Sequence, residues 1–280
     1  MRQTNNISKV IEKTIDLLGI KSFWLDEITK FVPYVYLDGH RTGNPNKSNI
    51  EAYTSGIEFY SRFVAIAHTL GIKDVVVMVH TRRNSSNPNR IKSVYKAIHD
   101  YPYKSQLGNI YTYGNTNDSY VSPDLKKRID EITSVNEKPN VKLNSHILLN
   151  YSEEWAINNL DEIKFIPNIS TIIRFTKGYY CGGYIPLRME KSTFVYCQNA
   201  SVSSFWADDS ISNLILVAFA NWFKMRSMIG NKIYTDSEKK TIFHQREYNL
   251  QIREQKCDMA EKPQKRLMTF DEIGAKAYLI

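Results

Sequence analysis

Short apolar runs and longer stretches of helical spacing alternate along this chain. Residues 32–37 (VPYVYL) form a β-prone run that ends in Asp38-Gly39-His40-Arg41 and a polar stretch to Ser48, which predicts a strand opening into a loop. Ile50, Tyr53, Ile57, Tyr60, Val64 and Ala67 then recur every three or four residues, the signature of one apolar helix face about six turns long. Ser48 or Asn49 is placed to cap its start, and Gly71 lies just past its end. Asp74 leads into Val75-Val76-Val77-Met78-Val79, an unbroken apolar run of the kind buried on both faces of a parallel sheet. Helical spacing is predicted over 89–99, 123–134, 155–163 and 210–225, and strands over 141–151 and 171–175. The Tyr-, Asn- and Gly-rich stretch 101–120 has little periodicity and is expected to be an irregular connection.

Strand, helix, strand repeated in this way predicts an α/β fold: a central, mostly parallel sheet flanked by helices. Ligands of such sheets sit beyond the carboxyl ends of the strands. Three polar groups, at 38–41, 81–84 and 174–177, fall at or just after predicted strand ends, and their convergence is the main pointer to a site.

Composition narrows the class. Of 280 residues, 42% are hydrophobic and 24% charged, as in a globular protein. The formal charge of +8 invites nucleic acid, an anionic membrane surface or a phosphorylated substrate as partner. The cations lie at strand ends rather than interleaved with aromatics along one face, so a nucleic-acid partner is not expected. Cys181, Cys197 and Cys257 form no C-x-x-C pair, which fits a reducing compartment. The first residues place charges inside their apolar stretch and offer no small-residue cleavage site, unlike a signal peptide. The most apolar segment, 214–223, is about half a membrane-spanning length, so no transmembrane segment and a cytoplasmic location are expected.

The candidate chemistry follows from residue types. A carboxylate at a strand end, here Asp38, can hold a divalent metal, and Gly39 lets the backbone approach a phosphate closely. The start of the following helix favours an anion, and Arg41 can pair with phosphate oxygens. An Asp-Gly at a strand end is equally an ordinary turn. Arg174 ends an apolar strand and requires an anionic partner, either an internal carboxylate or a substrate. Thr81, Arg82, Arg83 and Asn84 add two cations and an amide, or else a solvated turn. The six histidines show no metal-ligand spacing, and only His40 lies in the candidate loop. There is no Walker A loop, G-x-G-x-x-G, H-E-x-x-H or G-x-S-x-G.

Together these groups resemble the cis-prenyltransferases, the undecaprenyl diphosphate synthase family, over roughly residues 33–226. Pro33 to Arg41 is similar to the family's apolar strand ending in D-G-N-x-R, and Leu70-Gly71-Ile72-Lys73 with the valine run to its L-G-I-K strand. His80 to Pro88 sits where the family has F-S-x-E-N-W-x-R-P, and Leu149-Asn150-Tyr151 where it has L-N-Y-G-G-R. Ile173-Arg174 matches the start of I-R-T-G-G-E-x-R-x-S-N-F, and Phe205-Trp206 with residues 218–221 resembles its closing segment. The resemblance implies that Asp38 organises Mg²⁺ and the diphosphates, that Gly39, His40, Arg41 and Arg174 bind substrate diphosphate, and that Asn84 assists proton removal. The departures are Tyr180 for a second arginine, Gly182 for a serine, Thr193 for a metal-associated glutamate, Ser85 for tryptophan and Glu154 for arginine.

Three functions remain open on this reading. One is a non-canonical cis-prenyltransferase, a Mg²⁺-dependent enzyme condensing prenyl diphosphates. Another is a terpene cyclase or synthase acting on one allylic diphosphate. The third is a non-catalytic partner subunit. A homodimer, or a heterodimer with a homologous subunit, is expected. The chain divides into an N-terminal helical segment (1–31), a catalytic domain (32–230) and a charged C-terminal extension (231–280), helical in part, with a break at Pro263.

Overall fold

In the computed structural model, the residues described are 24–39, 46–101, 108–119, 121–134, 143–175, 183–197, 201–205 and 207–226, with shorter pieces within 11–21, 235–244 and 269–276. Most of the charged C-terminal stretch therefore lies outside the described residues. The elements in order are α1 (Trp24–Ile28), β1 (Pro33–Tyr36), α2 (Asn49–Leu70), β2 (Asp74–Thr81), α3 (Pro88–Asp100), β3 (Asn109–Tyr113), α4 (Pro123–Ser134), β4 (Asn144–Tyr151), α5 (Glu153–Asn158), α6 (Leu160–Ile163), β5 (Thr171–Phe175), β6 (Thr193–Cys197) and α7 (Asp208–Arg226). A small antiparallel pair, β7 (Thr269–Asp271) and β8 (Gly274–Lys276), follows.

The main sheet has the order β3-β4-β2-β1-β5-β6, and every adjacent pair is parallel. Parallel strands covered on both faces must be apolar throughout, and β1 and β5 are buried at every position. On one face Val35, Val75, Val77 and Ile173 pack with Phe63 and Ala67 of α2 and Ile215 and Phe219 of α7. On the other, Tyr34, Val76, Leu148 and Ile172 pack with Ala156, Ile163 and Ile166. A third cluster joins Ile57 of α2, Val94 and Ile98 of α3, and Leu125 and Ile129 of α4.

The predicted caps of α2 form. The Ser48 hydroxyl accepts the Glu51 backbone N–H at 3.3 Å, and the Glu51 carboxylate accepts the Ser48 N–H at 2.8 Å. Gly71 closes the helix with φ of 89°, a left-handed conformation that favours glycine. Ile50, predicted on the apolar face, is exposed, because that face reaches the core only from Ala52 and Tyr53 onward.

The stretch 101–120 corrects the expectation of an irregular connection, since it holds edge strand β3. An edge strand meets the core on one side only, and β3 is buried only at Ile110 and Tyr113 instead of continuously. The other edge, β6, was not anticipated for the same reason. The helix expected over 155–163 is two short helices, α5 and α6, meeting at Asn159.

Sheet order reverses between β1 and β5. From β1 the chain moves outward to β2 and on to edge strand β3, returns to place β4 between them, and only later places β5 on the opposite side of β1. In open α/β sheets that reversal opens a crevice at the carboxyl ends of the two strands.

Candidate diphosphate site

Asp38 lies just beyond the end of β1 and Arg174 near the end of β5, on the two strands that flank the crevice. They meet there: Arg174 Nε donates to Asp38 Oδ2 at 2.9 Å. Of the two readings of Arg174, the geometry shows the internal partner, Asp38. The guanidinium also lies over the Tyr36 ring, 4.6 Å from its centroid, a distance at which the ring face attracts a cation. Tyr36 is itself held, its hydroxyl donating to the Gly183 carbonyl at 3.1 Å.

Burial pushes the Asp38 carboxyl above its ordinary value of 3.8. Arg174, by charge and hydrogen bond, and Arg90, by charge, pull it down without cancelling that effect. Gly39 follows with φ of 80°, and a Cβ there would come within 2.8 Å of the Ser201 Cβ. That close approach seats the turn at Val202–Ser204 against the site, where the Val202 N–H donates to the Asp38 carbonyl at 3.3 Å. His40 and Arg41 lie outside the described residues, as do Tyr180, Gly182 and Trp206.

The group at 81–84 divides. Arg82 turns away to Glu154 at 3.3 Å and toward Asp118 at 3.8 Å, so it stabilises the turn locally. Arg83 is exposed and Asn84 is half-buried in the 3₁₀ turn Arg82–Ser86. Of the departures from the family pattern, Thr193 lies at the amino end of β6. Its hydroxyl bonds that of Thr171 at 2.7 Å, at the end of the strands away from Asp38. Glu154 is the partner of Arg82.

Arg90 was missed by the sequence reading. Asn87 caps α3, its side chain accepting the Arg90 N–H at 3.1 Å, and Arg90 therefore sits in the first turn. Because α3 follows β2 directly, that turn lies at the carboxyl end of the sheet. The side chain is fixed by the Tyr53 hydroxyl, which accepts from Nε at 3.0 Å. Its charge acts on Asp38 and on His80 alike. The available signal was a helix start immediately after a strand-end loop.

A small apolar cavity of about 30 Å³ lies behind Leu37, the residue before Asp38. Leu37, next to Asp38, is part of its wall, with Val79 and Leu149 from neighbouring strands, Ile57 and Tyr60 from α2, and Ile129 from α4. The charge-binding groups at the strand-end crevice suit an anionic head group, and the apolar side chains beside them form a wall along which a hydrocarbon could run only if the small cavity widened. One carboxylate completed by substrate phosphates is an ordinary Mg²⁺ environment, and Asp38 fits that role. Among the described residues no three His, Cys, Asp or Glu side chains cluster to form a protein-only metal cage. Nor is any described helix long and apolar enough to cross a membrane.

No protein-family model matches the sequence, and no curated protein matches it either. The fold, in contrast, is similar to that of lavandulyl diphosphate synthase from Lavandula x intermedia, solved in complex with dimethylallyl diphosphate. The TM-score is 0.60 at 14% sequence identity, over 70% of this chain and 96% of that one. The chain therefore has a prenyl diphosphate synthase-like α/β fold, in which a six-stranded parallel sheet brings Asp38 and Arg174 together.

Proposed function

We propose that this protein is an isoprenoid-diphosphate enzyme, a non-canonical cis-prenyltransferase that condenses prenyl diphosphates. The observation that carries the reading is the meeting of Asp38 and Arg174 at the reversal of strand order. The likeness to a prenyl diphosphate synthase supports it at the level of fold.

In this reading a diphosphate takes over Arg174 from Asp38 and gains Arg90 as a second cation, partly offsetting the arginine replaced at Tyr180. Charge-assisted contacts of this kind stabilise the diphosphate more as it gains negative charge on C–O cleavage than in the bound ester, the differential that catalysis needs. Asp38, freed from Arg174, would hold Mg²⁺ with the diphosphate oxygens; the ion would neutralise charge building on the leaving group. Gly39 would bring the backbone close to the phosphate; from their place in the sequence, His40 and Arg41 would serve as further anion ligands and Asn84 would assist proton removal. The hydrocarbon tail would run along Leu37, Val79 and Leu149, where the small cavity must widen to take it and to exclude water from a cationic intermediate. Action as a homodimer, or with a homologous subunit, belongs to the same reading.

A non-catalytic partner subunit is the second reading, favoured by the mutual neutralisation of Asp38 and Arg174. Product analysis separates the two. The purified protein is incubated with Mg²⁺ and geranyl or farnesyl diphosphate, with and without isopentenyl diphosphate. A longer prenyl diphosphate is expected, and Asp38→Asn, which keeps an oxygen for Arg174, should abolish it while the protein stays folded by circular dichroism. A hydrocarbon or alcohol from the allylic substrate alone would replace condensation with cyclisation or ionisation. Turnover only with an added homologous subunit would support the second reading, and unchanged turnover in Asp38→Asn would remove the site assignment.

A further inference from the structure

His80 carries an unusual burden for a buried side chain. It is 2% exposed, and among the described residues neither ring nitrogen has a hydrogen-bond partner. A buried polar group left without partners is destabilising, so its retention calls for a specific cause. Its direction also departs from a regular strand. Alternation along β2 would send His80 to the same face as Val76 and Met78, among the tyrosines. Two irregularities intervene. Pairing shifts between Met78 and His80 and again between His80 and Thr81, the second shift accommodated by Asn150 at φ of 50°. His80 is consequently the partner of Leu149, which lines the apolar cavity, and not of a residue on the opposite face. Bulges beside active sites commonly re-aim one side chain in this manner.

The surroundings are sparse in polar groups. From α3 the ring meets Tyr95, with centroids 5.9 Å apart, and the charge of Arg90. From α2 comes Tyr53, engaged by Arg90. Beyond Tyr95 lies Asp118, and across Arg90 lies Asp38. His80 thus stands between Arg90, which also acts on Asp38, and the small apolar cavity, lined by its chain neighbour Val79 and its pairing partner Leu149.

We infer that His80 is the proton acceptor of the condensation, an inference that rests on the isoprenoid reading of the site. The allylic C–O bond breaks, and its electrons leave on the diphosphate. The π pair of the second isoprenoid forms the new C–C bond. A C–H bond beside the resulting cation then breaks, its pair closes the new double bond, and the proton passes to the imidazole lone pair. In the ligand-free protein, burial and then Arg90 hold His80 neutral, with its pKa near 4. An arriving diphosphate offsets Arg90 and adds negative charge, which favours the protonated ring. The base thereby strengthens when substrate is in place.

The test combines kinetics with direct titration. His80→Phe, with a buried ring of comparable shape, is compared with wild type in the condensation assay across pH. We expect a fall in kcat of about 10²–10⁴-fold, little change in KM, loss of the acid limb of the kcat profile and an undiminished melting temperature. In ¹⁵N-histidine-labelled wild type, the His80 resonance should begin to protonate at higher pH once inorganic pyrophosphate and Mg²⁺ are added. An active wild type whose His80→Phe variant keeps its kcat and acid limb, or a His80 resonance unmoved by bound pyrophosphate, overturns the inference alone. A wild type that neither binds pyrophosphate nor turns over isoprenoid diphosphates overturns the reading of the site and the inference with it.

Discussion

Burial decides the charge state of His80. Its pKa falls from 6.5 to about 4, mainly because the ring is taken out of water and secondarily because Arg90 repels a second positive charge. Between these values the unfolded chain binds more protons than the folded one, so stability rises with pH through the window and is fully present above 6.5. The shift corresponds to about 3 kcal/mol lost on acidification from pH 6.5 to 4. His80→Phe should remove this loss, read as a flatter dependence of the urea midpoint on pH. Asp38 acts in the opposite sense. The folded state holds its proton more tightly than the unfolded state, so its contribution is present below 3.8 and is lost as pH rises through its raised folded value. The midpoint of His80→Phe should therefore retain a small decline with rising pH. Neither behaviour was legible in the sequence. His80 was one of six histidines without ligand spacing, and its direction depends on two pairing shifts that no local pattern announces.

At the scale of elements, the legible features were those governed by local chemistry. The Ser48–Glu51 box, the Gly71 cap and the apolar face of α2 follow from side-chain spacing within one helix. The valine run of β2 follows from burial on both faces. Strands β3 and β6 were hidden because half of each faces outward, and Tyr, Thr and Asn serve both edge strands and loops. The joint between β1 and the Val202–Ser204 turn was hidden as well, since the two are far apart in sequence and touch through Gly39. Gly39→Ala tests that joint. A side chain in the left-handed region costs about 1–2 kcal/mol, and its Cβ must displace Ser201. Chemical denaturation should show a loss of at least that size, and isothermal titration should show weaker pyrophosphate binding, because Asp38 moves with the turn. Ser201→Gly in the same background should recover part of the binding.

For the molecule as a whole, the meeting of Asp38 and Arg174 was legible through the sheet rule. Strand ends at 38 and 174 converge because β1 and β5 are neighbours, an adjacency that alternation of strands and helices suggests but does not order. Arg90 escaped notice because its relevance arises only once α3 is docked with its first turn at the same end of the sheet. The chain's net charge of +8 and the cations at this crevice lead to a further expectation. Inorganic pyrophosphate with Mg²⁺, at a hundredfold its dissociation constant, should stabilise the fold by about 2.7 kcal/mol. Scanning calorimetry should record the rise in melting temperature, and added salt should diminish it as screening weakens the contacts. An Arg90→Gln variant should show a smaller rise.

The embrace of Asp38 and Arg174 has a consequence for selectivity. While the crevice is vacant, its acid already satisfies its base, so a visiting anion must outbid a resident one. A ligand with a single negative charge brings no more than Asp38 supplies and has little reason to displace it. A polyanion that can engage Arg174 and Arg90 together, and leave Asp38 a cation to hold, gains from the exchange. If the proposed function holds, the internal bond would act as a threshold, discouraging simple phosphates in favour of a more highly charged head group.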